Sequence, residues 1–187
     1  MAGKQTSALV LTVGHSTRPI EEFIRLLQAH EVAGVADVRT IPRSRHNPQF
    51  NSDSLSASLQ AAGIGYSHWP ALGGLRHTTA ASVNRGWRNT SFRGFADYMQ
   101  TDAFAQALEQ FIHWAGPSPI ALMCAEAVPW RCHRSLIADA LLARGITAEH
   151  IMSRTNRQPH AMTPFAKVQG HQIAYPATDS ESPGPAH

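Results

Sequence analysis

Residues 119–134 read Pro-Ile-Ala-Leu-Met-Cys-Ala-Glu-Ala-Val-Pro-Trp-Arg-Cys-His-Arg. The apolar run at 120–123 has the length of a buried strand. Behind it come Cys124 and Glu126, a turn around Pro129, and Arg131, Cys132, His133 and Arg134 in consecutive positions. Leu136, Ile137, Asp139, Ala140, Leu141 and Leu142 then read as a helix that Gly145 stops. Both cysteines of the chain therefore flank one strand-to-helix loop. In an open α/β sheet, ligands bind at such loops. Backbone N–H groups at the helix start, the positive end of its dipole, two arginines and a histidine make an anion the expected guest.

Working outward, residues 8–13 form the first strand, and Gly14-His-Ser-Thr turns the chain into a helix. Thr17 is the candidate cap there, Pro19 lies in the first turn, and Glu21 and Glu22 suit the dipole. Residues 32–38 form the second strand, with Asp37 and Arg39 at its end, and a loop over 40–52 carries Pro42, Arg43, Ser44 and Arg45. A helix over 53–62 is stopped by Gly63, and 64–69 is the third strand. The irregular stretch over 70–92 holds Gly73-Gly74 and Arg85-Gly-Trp-Arg88, and its aromatics argue against disorder. Helical segments over 95–99 and 102–114 lead to the strand quoted above. After the helix at about 135–144, residues 147–152 make a fifth strand.

Strand and helix alternate, so the expected fold is single-domain α/β: an open, mostly parallel sheet with helices on both faces, a Rossmann-like three-layer arrangement. Residues 1–7 are expected to be a flexible N-terminus, 8–175 the domain, and the proline-containing 176–187 a disordered tail.

A chain of 187 residues with 43% hydrophobic content suits one domain with a substantial core. No apolar run has the length of a membrane span, and residues 1–7 lack the apolar region of a signal peptide, so no membrane and a cytoplasmic location are expected. Two cysteines in a reducing compartment point to thiols or metal ligands rather than a bridge. Net charge is only +3, but no acidic residue lies between Asp53 and Asp97, nor between Glu149 and Asp179. Fourteen of the sixteen basic residues are arginine. Genome composition explains this as well as a need for guanidinium forks on phosphate or carboxylate does.

Parallel topology brings three loops to one sheet edge. They carry His15, Ser16 and Arg18; Asp37, Arg39 and Arg45; and Cys124, Glu126, Cys132, His133 and Arg134. Glu126, Cys132, Asp37 and His15 are the candidate catalytic groups, and Ser16, Arg18, Arg39, Arg45, His133 and Arg134 the candidate substrate contacts. Each has a plainer reading beside it. Asp37 and Arg39 share a strand face and suit a structural pair. The residue 85–88 cluster either stacks on a base or covers the core. Cys124 ends a buried strand and reads as a small hydrophobe. Cys132 differs, because a helix start, an imidazole and guanidiniums together lower a thiol's pKa and make a nucleophile.

The reading these groups favour is an enzyme acting on a phosphate-bearing substrate, a nucleotide or a nucleic acid. A cysteine phosphatase needs five residues between Cys and Arg, whereas six separate Cys124 from Arg131, so that spacing fails. Sulfur transfer, with a looser cradle, stays open. Cys124, Cys132 and His133 form an alternative metal set. The sequence requires no cofactor and admits a divalent metal. A third reading is a non-catalytic nucleic-acid-binding module, against which the modest charge counts.

Cys124-Ala-Glu followed by Cys132-His-Arg resembles the signature of the domain of unknown function 488 family. Val13-Gly-His-Ser-Thr-Arg18, Asp37-Val-Arg39, Pro42-Arg-Ser-Arg45, Asn47-Pro-Gln-Phe50 and Leu72-Gly-Gly74 extend the resemblance over about residues 8–151. It implies a single α/β domain and carries a hint of DNA repair.

Overall fold

The computed structural model describes residues 8–178. The expected flexible N-terminus at 1–7 and positions 179–187 of the expected tail lie outside the described residues. Strand β1 spans Leu9–Gly14, β2 Gly34–Asp37, β3 Gly65–His68, β4 Ile120–Cys124, β5 Thr147–Ser153 and β6 Asn156–Pro159. They form one sheet in the order β3-β2-β4-β1-β5-β6. The first five run parallel, and β6 lies antiparallel against β5. β7 (Lys167–Gln169) and β8 (Gln172–Ala174) pair as a separate two-stranded hairpin.

Every residue of β4 is buried, as its position between two neighbours requires, and its side chains alternate between two cores. Ala121 and Met123 face a cluster with Phe23 and Leu27 of α1 (Ile20–Ala29) and Leu55 and Leu59 of α2 (Ser52–Ala61). Ile120, Leu122 and Cys124 face the opposite layer. That layer contains Phe95 of α3 (Thr90–Met99), Phe104 and Phe111 of α4 (Asp102–Ala115), and Leu136 and Leu141 of α5 (Arg134–Ala143). The three-layer α/β fold expected from the alternation is therefore present. No helix among the described residues is long and apolar enough to cross a membrane.

β1 and β4 are neighbours, yet the chain leaves β1 toward α1 on one face and β4 toward α5 on the other. Their loops diverge and open a crevice at the C-terminal edge, the switch point at which open α/β sheets bind ligands.

Several local expectations are corrected. Thr17 does not cap α1: Pro19 holds the cap position, no side chain bonds there, and Thr17 is exposed. The irregular stretch ends earlier than expected, because the Asn89 side chain accepts the N–H groups of Ser91 and Phe92 and starts α3. β6 and the β7–β8 hairpin were not anticipated. All residues of β6 are exposed, so no apolar alternation marks it.

Candidate functional site

Arg134 opens α5, and its side chain turns inward to 0% exposure. Nη1 donates to Cys124 Sγ at 2.7 Å and to the Glu126 carbonyl. Nη2 donates to the Ala127 carbonyl at 3.0 Å, and Nε to Thr12 Oγ1 at 3.2 Å. Burial holds the guanidinium down at a pKa of about 10, partly offset by the Glu126 charge. Arg134 is therefore a brace inside the wall and not the substrate contact expected of it.

The brace shapes the loop. All peptides are trans, so with the 126 and 127 carbonyls turned to Arg134, the N–H groups of Ala127 and Val128 lie on the opposite edge. Neither has a partner among the described residues. The start of α5, by contrast, is closed to an anion. Arg134 N–H donates to Cys132 Sγ at 3.5 Å, Ser135 N–H to the Cys132 carbonyl, and Cys132 N–H to the Pro129 carbonyl. Gly14 makes room for the loop, since a Cβ there would overlap the Glu126 carbonyl.

A 3₁₀ turn at Pro129–Arg131 folds Cys132 back over the end of β4 and brings the two sulfurs into contact, with Cα atoms 7.5 Å apart, wider than a disulfide spans. The pair lies 4% and 6% exposed at the base of a cleft of about 270 Å³. Glu126 and Arg131, both exposed, stand at its rim with Thr40 and Ser91. His133 forms part of its wall. The His133 Nε2–H is shared between the carbonyls of Val38 (3.0 Å) and Leu72 (3.1 Å), and Nδ1 faces Cys132 Sγ at 3.6 Å. Burial lowers the His133 pKa to about 4 against the raising effect of those carbonyls, so the ring is neutral at pH 7. Its edge packs over Gly74, where a Cβ would come within 2.7 Å of Nδ1. Gly74→Ala is therefore expected to cost about 1–3 kcal/mol in urea unfolding. Unchanged stability would mean that the ring shifts freely.

His15 and Asp37 form a second, buried cluster. Asp37 receives Arg39 Nε at 2.9 Å and Nη2 at 2.7 Å, and Tyr66 O–H at 2.7 Å. Arg39 Nη2 also donates to the Phe50 carbonyl at 2.7 Å, and Nη1 reaches His15 Nε2 at 3.4 Å. His15 stacks on Phe50 with ring centroids 4.2 Å apart, and burial lowers its pKa to about 4. Its main-chain N–H bonds the Cys124 carbonyl at 2.9 Å, so the cluster buttresses the loop from behind. The plainer reading of Asp37 and Arg39 as an ion pair is the one their geometry follows.

Ser16 sits in the left-handed region at φ 51°. Arg18 donates to the Gly14 carbonyl and lines a separate groove of about 550 Å³ with Glu21, Glu22 and Arg154. Arg45 is exposed on its loop, outside the cysteine cleft. The arginine excess acquires a structural explanation. Arg18, Arg39, Arg76, Arg85, Arg93, Arg134 and Arg144 each donate to a main-chain carbonyl. Irregular segments leave carbonyls without ladder partners, and a guanidinium fork satisfies several at once.

Sequence reasoning missed the polar chain behind the cleft. Arg134 Nε–H donates to Thr12. Thr12 Oγ1 lies 2.6 Å from His150 Nδ1, His150 Nε2 2.9 Å from His160 Nδ1, and His160 Nε2 2.7 Å from Asp139 Oδ1. Tyr175 and Thr163 hydroxyls complete the Asp139 carboxylate at 2.8 and 2.7 Å. A carboxylate amid the apolar helix 136–142 was the available signal. Among the described residues no three His, Cys, Asp or Glu side chains converge to hold a metal ion.

The family model described as Domain of unknown function DUF488 matches residues 19–141, from the start of α1 into α5. No curated protein and no solved structure matches the chain.

Proposed function

The chain belongs to the family described as Domain of unknown function DUF488, and on that premise we propose that it is a cysteine-dependent enzyme acting on a phosphate-bearing substrate, a nucleotide or nucleic acid. The observation that carries the reading is the guanidinium N–H of Arg134 donated to Cys124 Sγ at 2.7 Å, at the C-terminal end of a central strand and below an open cleft. A buried cation bonded to sulfur favours the thiolate, the nucleophilic form. In the reduced protein Cys124 is the attacking group, and Arg131 at the rim of the same cleft, one residue farther along the chain than the arginine of a cysteine phosphatase, seats the substrate's anion. This moves the nucleophile from Cys132, the sequence-based choice, to Cys124. Cys132, against the His133 ring, is the neighbouring thiol. Glu126 at the rim is placed to exchange a proton with a leaving group.

The test uses reduced protein and a panel of nucleoside mono-, di- and triphosphates and short oligonucleotides, with phosphate release and strand cleavage as readouts. Cys124→Ser is expected to lower turnover by several orders of magnitude while the circular dichroism spectrum is kept. Turnover that survives the substitution, or a wild-type protein inert toward the whole panel, overturns the proposal.

A further inference from the structure

The 3₁₀ turn Pro129–Arg131 is the partition between two cavities. Arg131 lines the cysteine cleft, whereas Trp130, 61% exposed, lines a second cavity of about 350 Å³ beside it. The two share an aromatic wall. Trp87 and Phe165 line the second cavity with ring centroids 4.9 Å apart, and Trp87 meets Phe92, which lines the cleft, edge-on at 5.1 Å. The Trp87 indole N–H is buried without a hydrogen-bond partner among the described residues. Gln158, exposed on β6, adds an amide at the rim. No Lys, Arg, Asp or Glu lines this cavity. The nitrogens of His150 and His160 are engaged in the chain that ends on Asp139, so both rings serve as wall.

A guest here must be flat, uncharged and able to make a few hydrogen bonds. Indole and phenyl faces stack on any base, and an amide offers the paired donor and acceptor that a base edge needs. The size lies within the roughly 300–1,000 Å³ range of small-molecule sites. A charged portion of the same guest finds no partner in this cavity and finds Arg131 one residue beyond Trp130. We infer that the second cavity seats a nucleobase whose sugar-phosphate end reaches the cysteine cleft, an inference that rests on the phosphate-bearing substrate proposed above.

Calorimetric titration of the reduced protein with adenosine, guanosine, cytidine and thymidine tests the base seat. Alkylation of Cys124 in the presence of ribose 5-phosphate tests the cleft separately. At least one nucleoside is expected to bind. Trp130→Ala, at an exposed position, should weaken it roughly five- to hundredfold. Gln158→Ala should change the ranking among the four bases. Ribose 5-phosphate should slow Cys124 alkylation equally in wild type and Trp130→Ala. If no nucleoside binds, or Trp130→Ala leaves the affinity unchanged, the base seat is overturned, and protection by ribose 5-phosphate then keeps the cleft reading alive. Nucleoside binding without any protection by ribose 5-phosphate retains the base seat and overturns the anionic cleft. A short single-stranded oligonucleotide that binds more tightly than the nucleoside monophosphates assigns the base to a strand, and the reverse order assigns it to a free nucleotide.

Discussion

Lowering the pH from 7 to 4 is expected to cost this protein several kcal/mol of folding stability. His15, His133 and His150 are held by burial at pKa values of about 4, against 6.5 for an ordinary imidazole. Above pH 6.5 each is neutral in both the folded and the unfolded chain, and their contribution is fully present. Between 6.5 and 4 the unfolded chain binds protons that the folded chain refuses, so stability falls across that window and levels off below it. Each group accounts for about 3 kcal/mol at most. Discounted for the solvent that reaches His15 and His150, the three together amount to several kcal/mol, a large share of the ~5–15 kcal/mol that holds a typical domain. The groups facing them act mainly in the same direction: Arg39 and Arg18 lie near His15, Arg134 and Arg76 near His133, and His160 and Arg134 near His150, while Asp37 and Asp139 oppose. Urea unfolding at successive pH values is the measurement. A free energy that stays level from pH 7 to 4.5 would falsify the assignment of neutral buried rings.

Replacing Arg134 is expected to damage the fold before it damages binding. Arg134→Ala leaves the Glu126 and Ala127 carbonyls, Thr12 and Cys124 Sγ without their donor in a dry interior. Each buried acceptor left without its donor costs about 1–3 kcal/mol. Arg134→Lys keeps the charge, but an ammonium cannot span acceptors on opposite sides of the fork, and a loss of about 2 kcal/mol is expected. Thermal unfolding of the two variants separates the contributions. A lysine variant as stable as the parent would show that charge alone suffices and that the planar fork is incidental. The sequence suggests the opposite outcome, a substrate arginine whose loss spares the fold, because spacing along a helix start does not reveal which way a long side chain turns.

That difference marks how much was legible. The alternation of strand and helix, the burial of residues 120–124 and the meeting of the loops after β1 and β4 follow from apolar patterning and parallel topology, and the structure contains all three. Cys124, Glu126 and Cys132 do lie at one cleft. Asp37, Arg39 and His15 belong to the same edge but close on one another behind it. The second cavity was out of reach for a different reason. Gln158 and His160 come from a polar edge and its exit, and Phe165 from the loop before a three-residue strand, so neither periodicity nor spacing marks them.

The guanidinium–carbonyl contacts have a consequence for the medium in which the protein works. An ion pair at a surface weakens as mobile counter-ions gather, over a Debye length of about 8 Å in physiological salt. A guanidinium bonded to a peptide carbonyl is an ion–dipole contact at touching distance, with no opposite net charge to be screened. Arg76, Arg85 and Arg93 hold the irregular stretch after β3 in this way, and Arg134 holds the loop that carries the cysteines. These loops are consequently insulated from ionic strength even where an anionic guest drawn to Arg131 is not, so brine should release the guest long before it loosens the site.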